Sequence, residues 1–413
     1  MFETLFTRPH VLARHGASPY AESRARFLVH CSKLGYPRAT LQKIAWVLHV
    51  FSQSIDLGRP GRVTRQEIEF AVDHRVRYNR SNRDEASQSS RRLFIHITTA
   101  WLHFLGYLEE PQLPQKPFTH YIDDFANFMR DQRGLSPVTI KNYYEGIANF
   151  LAAVWRPEIL LNAISIKDVD DYLVHQGNHG WSRASLHELA STLRVFFRYA
   201  EGQGWASRVA AGIVAPRLYA QEGLPLGPTW EDVNKIIASF SGNTASDIRN
   251  RAIALLLAIY GLRRGELTRL RLEDVDWTGE ILHVSRPKQR CSQQYPLVPV
   301  VGDAILRYLK EARPRCDHRE LFLTLEAPVR PLQPGGVSAL VRLRLAALKV
   351  QLPRRGAHCL RHACARHLLA SGFSLKEIGD HLGHRSATAT RVYVKVDLDG
   401  LRQAAELDLG SLL

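Results

Sequence analysis

The sequence predicts a mainly α-helical chain with one small β-sheet, the sheet confined to an α+β C-terminal part and preceded by helical modules. Three observations carry that expectation. Apolar residues recur at three- and four-residue spacing behind helix-capping residues, a single β-rich pair of segments flanks a polar turn near residue 288, and two proline-bearing stretches interrupt the helical pattern. The stretches are 109–118 (EEPQLPQKPF) and about 214–228, with Pro216, Pro225 and Pro228, and they divide the chain into segments 1–110, 118–208 and 229–413.

In the first segment, Leu41, Ile44, Leu48 and Phe51 form an apolar helical face behind Thr40. Thr64 to Glu67 has the pattern of a capping box, and Arg80 to Arg92, rich in Ser and Arg, is expected to be a flexible basic loop. In the middle segment, Ser136 and Pro137 suit the cap and first position of a helix whose apolar face is Ile140, Tyr143, Tyr144, Ile147, Phe150 and Leu151. Lys141 and Asn142 lie off that stripe, as DNA contacts or as a solvated face. The two segments share a pattern at an offset of 99 residues, from Thr40 and Thr139 to Phe51 and Phe150, and Ser165 to Asp168 parallels Thr64 to Glu67. The N-terminal segment therefore reads as a repeat of the middle one.

The third segment opens at Thr229, an N-cap with Asp232 at the third helical position. Ala252 to Tyr260 is the longest apolar run, too short to span a bilayer, and is expected to be a buried helix. Ile281 to Val284 and Tyr295 to Val298 read as strands, with Thr278-Gly279 as the turn before them. After Tyr393, Leu398, Leu401, Ala405 and Leu409 have roughly helical spacing.

Composition narrows the function. The 413 residues include 55 Lys and Arg against 40 Asp and Glu, a formal charge of +15, with a pI of about 9.8. That balance suits a partner of nucleic acid. Neither a Lys-rich amphipathic surface helix nor a signal-peptide core is evident, so no membrane role is expected. Five irregularly spaced cysteines suggest reduced thiols in a cytoplasmic protein.

The chemistry is concentrated late in the chain, in AHCLRHACARHLLASGFSLKEIGDHLGHRSATATRVYV at 357–394. His358 and Arg361 sit three apart, Leu-Gly-His follows at 382–384, and Tyr393 closes the run. Two cationic or proton-handling groups, a further hydrogen-bond donor and a nucleophile suit a phosphodiester. Arg263 and Glu266 in GLRRGEL (261–267) precede them.

These boxes resemble the catalytic domain of the tyrosine recombinases, the phage integrase family: GLRRGEL as the first box, HCLRH (358–362) as the second, LGH as the third, then the Tyr. The spacings agree as well, 23 residues from Arg361 to His384 and nine from His384 to Tyr393. The resemblance implies that Tyr393 attacks phosphorus, leaving a 3′-phosphotyrosine and a free 5′-hydroxyl, with no need of metal, ATP or another cofactor. Arg263 and Arg361 would grip the non-bridging oxygens, which gain charge in the transition state. His358 would be the base, His384 a donor to phosphate, and Lys288, in the hairpin turn, the acid for the leaving oxygen. Arg286 and Arg290 compete with Lys288 for phosphate contact, and Glu266 would brace Arg263. The resemblance also makes segment 118–208 a core-binding (SAM-like) domain on double-stranded DNA and segment 1–110 an arm-like or extra DNA-binding domain. It implies a homo-tetramer on DNA, possibly assembled with partner recombinases, a tail that swaps between protomers, and a nucleoid-associated location.

Less specific readings stand beside these. His358, Cys359, His362, Cys364 and His367 could form a metal site, though without the Glu of an HExxH helix or a paired CxxC. His362 and His367 otherwise read as packing or capping residues. A type IB topoisomerase shares the chemistry without exchanging strands, and a DNA-binding regulator could keep the fold without the reaction. A full set of site residues and two helical modules favour a site-specific recombinase.

Overall fold

The structure is a computed structural model and describes residues 1–58, 62–78, 88–109, 116–156, 160–219, 227–286, 291–353, 355–384 and 387–393. It divides into two compact units, Met1–Glu110 with Leu224–Leu413, and Pro111–Gly223. Among the described residues, no helix is long and apolar enough to cross a membrane.

The N-terminal part is built of α1 (Phe2–Leu5), α2 (Pro9–Ala17), α3 (Ala21–Lys33), α4 (Arg38–Ser52), α5 (Arg65–Tyr78) and α6 (Gln88–Leu105). It has its own core, in which Leu41, Ile44, Leu48 and Phe51, the stripe expected from the sequence, pack with Leu28, Ile68, Trp101 and Leu102. The capping box is formed: the Thr64 N–H donates to the Glu67 carboxylate at 2.8 Å, and the Glu67 N–H to Thr64 Oγ1 at 3.2 Å. Helix α6 takes up the C-terminal end of the expected basic loop, 80–92. Gln88 onward is already helical, because Arg91 pairs with Asp73 at 2.7 Å and ties α6 to α5; residues 79–87 lie outside the described residues. The Val329 N–H donates to the Leu34 carbonyl at 3.0 Å, joining this part to the C-terminal one.

The second unit contains α7 (Thr119–Asp131), α8 (Pro137–Val154), α9 (Ile166–Asn178) and α10 (Arg183–Gly202). Ser136 caps α8, accepting from the Thr139 N–H at 3.3 Å, with Pro137 in the first helical position. Ile140, Ile147, Phe150 and Leu151 are buried with Phe196 and Phe197, while Tyr143 and Tyr144 pack at the edge. Ser165 and Asp168 form a reciprocal capping box on α9. The repeat seen in the sequence extends to the packing. Helices α3 to α6 meet in the pairs α3/α4, α4/α5, α4/α6, α5/α6 and α3/α6; helices α7 to α10 meet in the corresponding five.

The C-terminal part comprises α11 (Trp230–Ala238), α12 (Ala245–Ile259), α13 (Arg264–Leu267), β1 (Val275–Asp276), β2 (Ile281–Arg286), β3 (Cys291–Pro296), α14 (Pro299–Arg307), which widens into a π turn, α15 (Pro334–Ala347), α16 (Ala357–Ala370), α17 (Leu375–Leu382) and α18 (Ala387–Arg391). Thr229 caps α11 through the Asp232 N–H at 3.1 Å. The apolar run lies in α12, where Ala252 to Ala258 are all buried and α11, α14, α15 and α16 pack around them. The strands form one antiparallel sheet in the order β1-β2-β3, with Ile281 opposite Pro296 and Arg286 opposite Cys291. The second long strand thus begins four residues earlier than expected and stops at Pro296, because Val298 becomes the N-cap of α14 with Pro299 in its first position. Asp276 Oδ1 accepts from the Thr278 and Gly279 N–H groups and makes the turn before β2.

Candidate active site

Four separate segments converge on the loop that ends α17. Gly383, in the left-handed conformation at φ +59°, terminates that helix; its N–H donates to the Asp380 carbonyl and the His384 N–H to the Gly379 carbonyl. The carbonyls of Leu382 and Gly383 at this turn accept from side chains. Arg263 Nη2 donates to Gly383 O at 3.0 Å, and Arg361 Nη2 to Leu382 O at 2.7 Å. The first, second and third boxes are joined by these two contacts. A methyl at Gly383 would collide with the Arg286 guanidinium and would have to adopt the left-handed conformation, so Gly383→Ala is expected to destabilise the C-terminal part by about 1–3 kcal/mol. A lowered thermal midpoint checks this, and an unchanged one would count against the packing of this loop.

Arg263 precedes α13 and is oriented by Glu266. The Arg263 N–H donates to Oε2 at 2.8 Å and its Nη1 to Oε1 at 2.7 Å. Glu266 is buried while the Arg263 side chain keeps 30% exposure, so the carboxylate acts as a brace and the guanidinium faces outward. Arg361 is 1% exposed. Its Nη1 donates to Gly261 O at 2.6 Å, a second anchor, and burial, followed by the nearby Arg263, brings its pKa down to about 10. It remains charged at neutral pH. Each guanidinium has five N–H donors and keeps some in hand for an oxyanion.

Arg286 is engaged within the protein. It is 1% exposed at the end of β2, donates to Leu382 O and to Tyr295 Oη, and lies 4.0 Å from Glu266. Tyr295 donates in turn to His381 O, and Gln293 Nε2 to Asp380 O at 2.8 Å. The β2–β3 hairpin is therefore clamped onto the carbonyls at the C-terminal end of α17. Lys288 and Arg290, expected between these two strands, lie outside the described residues.

His384 Nδ1 is 2.7 Å from Thr390 Oγ1 on α18. Burial lowers its pKa to about 4, with Arg361 and Arg263 acting in the same direction, so its imidazole is neutral at neutral pH and can donate from Nε2 when the Thr390 hydroxyl donates to Nδ1. Tyr393 is 2% exposed, packed with Cys364, Ala365, Ile378 and Leu382. Burial pushes its phenol up to about 12. Its ring lies nearly parallel to that of His384, with centroids 6.2 Å apart.

The histidines of α16 divide differently from the sequence reading. His367 does pack, stacked on Trp230 at 3.8 Å. His362 does not serve only as packing: its Nδ1 is 3.0 Å from the Tyr393 hydroxyl. His358, one turn earlier and exposed, sets its ring edge-on to His362 at 4.4 Å. Cys359 and Cys364 are buried in apolar surroundings that raise their thiol pKa values. Among the described residues no group of three or more His, Cys, Asp or Glu is placed to hold a metal ion. Sequence reasoning named Arg286 only as a competitor for phosphate and His362 only as a packing, capping or metal-binding residue, and it missed Tyr295, Gln293 and Thr390. The available signals were that His362 directly follows Arg361, and that Gln293 and Tyr295 share one face of β3. Lys141 and Asn142 belong to the other unit; both are exposed on α8, and Lys141 pairs loosely with Glu145 at 3.7 Å.

Residues 229–399 match the phage integrase family and residues 122–204 the phage integrase N-terminal SAM-like domain. The y4rA integrase/recombinase of Sinorhizobium fredii is 33% identical over 316 residues, covering 73% of this chain and 76% of that protein. Tyrosine recombinase XerC of Oceanobacillus iheyensis is 28% identical, covering 69% and 94%. In fold, the chain is similar to XerH site-specific recombinase, solved on its palindromic difH substrate after cleavage, with a TM-score of 0.55, 18% identity, and 84% and 98% of the two chains covered.

Proposed function

The chain belongs to the phage integrase, or tyrosine recombinase, family, and on that premise we propose that Tyr393 cuts DNA by attacking a phosphodiester and stays joined to the 3′-phosphate until the strand is rejoined. It is a site-specific DNA recombinase and a DNA strand transferase. The observation that carries the residue assignment is the gathering of Arg263, Arg361, His384 and Tyr393 around the Leu382–Gly383 carbonyls and the α16 helix.

In this reading the two guanidiniums take the non-bridging oxygens of the phosphate. They are fixed beforehand by Glu266, Gly261 and the α17 terminus, so little reorganisation is needed as negative charge builds up. Neutral His384 adds a hydrogen bond to the same oxygens. His358, the base expected from the resemblance, lies exposed on α16 with its ring edge-on to His362, and Lys288 would protonate the 5′-oxygen as it leaves. The phosphotyrosyl bond conserves the energy of the broken linkage, and the sequence of steps requires neither ATP nor metal. Strand exchange through a Holliday junction calls for two duplexes and four such nucleophiles, hence a homo-tetramer on DNA, possibly with partner recombinases. Its setting would be the cytoplasm, at the nucleoid.

Segment 118–208 would clasp double-stranded DNA as a core-binding domain, with Lys141 and Asn142 on its outer face and Arg290 contributing from the hairpin of the catalytic domain, 229–413. Segment 1–110 repeats its helix packing and carries 16 Lys and Arg against ten Asp and Glu, whereas 111–223 has 11 of each. That excess supports a second, extra-core DNA-binding domain. The tail after Tyr393, proposed to swap between protomers, lies outside the described residues.

Covalent trapping tests the function. Protein mixed in EDTA with nicked duplexes from the DNA flanking its own gene should give a DNA-linked band on denaturing gels; tight, salt-sensitive binding with no such band would favour a non-catalytic regulator. Lys288→Ala should slow cleavage of a normal 5′-oxygen by about 10²-fold or more, and far less for a 5′-bridging phosphorothiolate, whose leaving group needs no acid. Equal losses on both substrates would move the acid elsewhere in the turn.

A further inference from the structure

The Tyr393 hydroxyl already has a partner. His362, immediately after Arg361 on α16, brings Nδ1 to 3.0 Å from Tyr393 Oη, with ring centroids 5.7 Å apart. Resting on the reading of Tyr393 as the nucleophile, we propose that His362, in place of His358, is the catalytic residue that holds the Tyr393 hydroxyl and takes its proton as the oxygen attacks phosphorus.

Tyr393 lies in an apolar slot where a standing phenolate is disfavoured: burial raises its pKa, against the opposing pull of Arg361 and Arg263. The proton must therefore leave as the new P–O bond forms, and it needs a base already within hydrogen-bond reach. His362 Nδ1 meets that requirement when the imidazole carries its own proton on Nε2. Adjacent positions on α16 then supply both the phosphate-gripping guanidinium and the partner of the nucleophile, so one helix sets both ends of the attack. The ionisable groups facing this pair are Arg361 and His358 on α16, Cys364 in its next turn, Arg263 before α13, and His384 after α17.

The step balances. The Oη–P bond forms as the P–O5′ bond breaks, the phenol proton passes to Nδ1 to give an imidazolium, and the departing 5′-oxygen takes a proton from Lys288. Religation reverses each transfer and returns the proton to Oη.

His362→Asn leaves a polar atom near the place of Nδ1 that cannot take a proton at neutral pH. In single-turnover cleavage of the nicked flanking duplexes, this variant should bind DNA as the wild type does. It should form adduct at least about 100-fold more slowly near pH 7, and the deficit should narrow as the pH rises. Placing a more acidic fluorinated tyrosine at 393 should recover much of the lost rate. A merely structural role would not respond to phenol acidity. Wild-type cleavage by His362→Asn, or a deficit insensitive to both pH and phenol acidity, would overturn the proposal; should the Asn variant misfold, His362→Gln takes its place.

A measurement without DNA separates this inference from the one beneath it. In the full chain labelled with ¹⁵N-histidine, the His362 Nδ1 resonance should move on Tyr393→Phe, and an unmoved resonance overturns the contact itself. A wild-type chain that forms no adduct fails the nucleophile reading and takes the role of His362 with it. An active wild type beside a fully active Asn variant fails His362 alone.

Discussion

Tyr393→Phe is expected to form no covalent DNA adduct, a loss of at least about 10⁴-fold, while binding DNA with nearly unchanged affinity. The substitution removes one oxygen from a side chain that is 2% exposed and packed against Cys364, Ala365, Ile378 and Leu382. A phenyl ring fills the same slot, and the structural loss is one hydrogen bond to His362, worth about 1 kcal/mol. Arg263, Arg361 and His384 keep their anchors, since these run to Glu266, Gly383, Gly261, Leu382 and Thr390. Only the chemistry is removed. Denaturing gels of both proteins on the same nicked duplexes, beside filter-binding curves, make the comparison. Adduct formed by the Phe protein at the wild-type rate would assign the nucleophile to another residue.

Arg361→Lys has the second largest expected effect, although it preserves the charge. The arginine donates from two nitrogens to carbonyls on different segments, Gly261 and Leu382, and must still present N–H groups to phosphate. An ammonium is a point donor on a flexible stem and cannot span both carbonyls while reaching an oxyanion. Leaving one of these buried carbonyls unpaired costs about 1–3 kcal/mol, and losing a preorganised donor to the transition state costs about 10²–10³ in rate. The Lys variant should therefore show a lower thermal midpoint together with cleavage slowed by that factor. Normal cleavage with a normal midpoint would mean that Arg361 contributes only charge.

Much of this molecule was legible before folding was considered. The α4 and α8 stripes, the caps at Ser136, Ser165, Thr64 and Thr229, and the buried run in α12 follow local rules, in which spacing and capping chemistry act over four or five residues. Strand β3 differs from its sequence expectation at both ends because its pairing with β2 is a non-local matter, and α6 begins inside the expected basic loop, where the Arg91–Asp73 pair links residues 18 apart.

The sequence by itself determined the reaction type and the identity of the motif residues, because a phosphodiester requires permanent cations, proton carriers and a nucleophile, and few side chains serve. Only the tertiary structure decided which of the cations and histidines lie against one another. Arg286 resembles a phosphate ligand in sequence and becomes a buried clamp once β2 lies against α17. His362 resembles a packing residue and becomes the partner of Tyr393 once the segment after α18 returns to α16. Both outcomes depend on contacts across dozens of residues, where the direction of a side chain is set by the packing of whole elements and leaves no periodic trace in the chain.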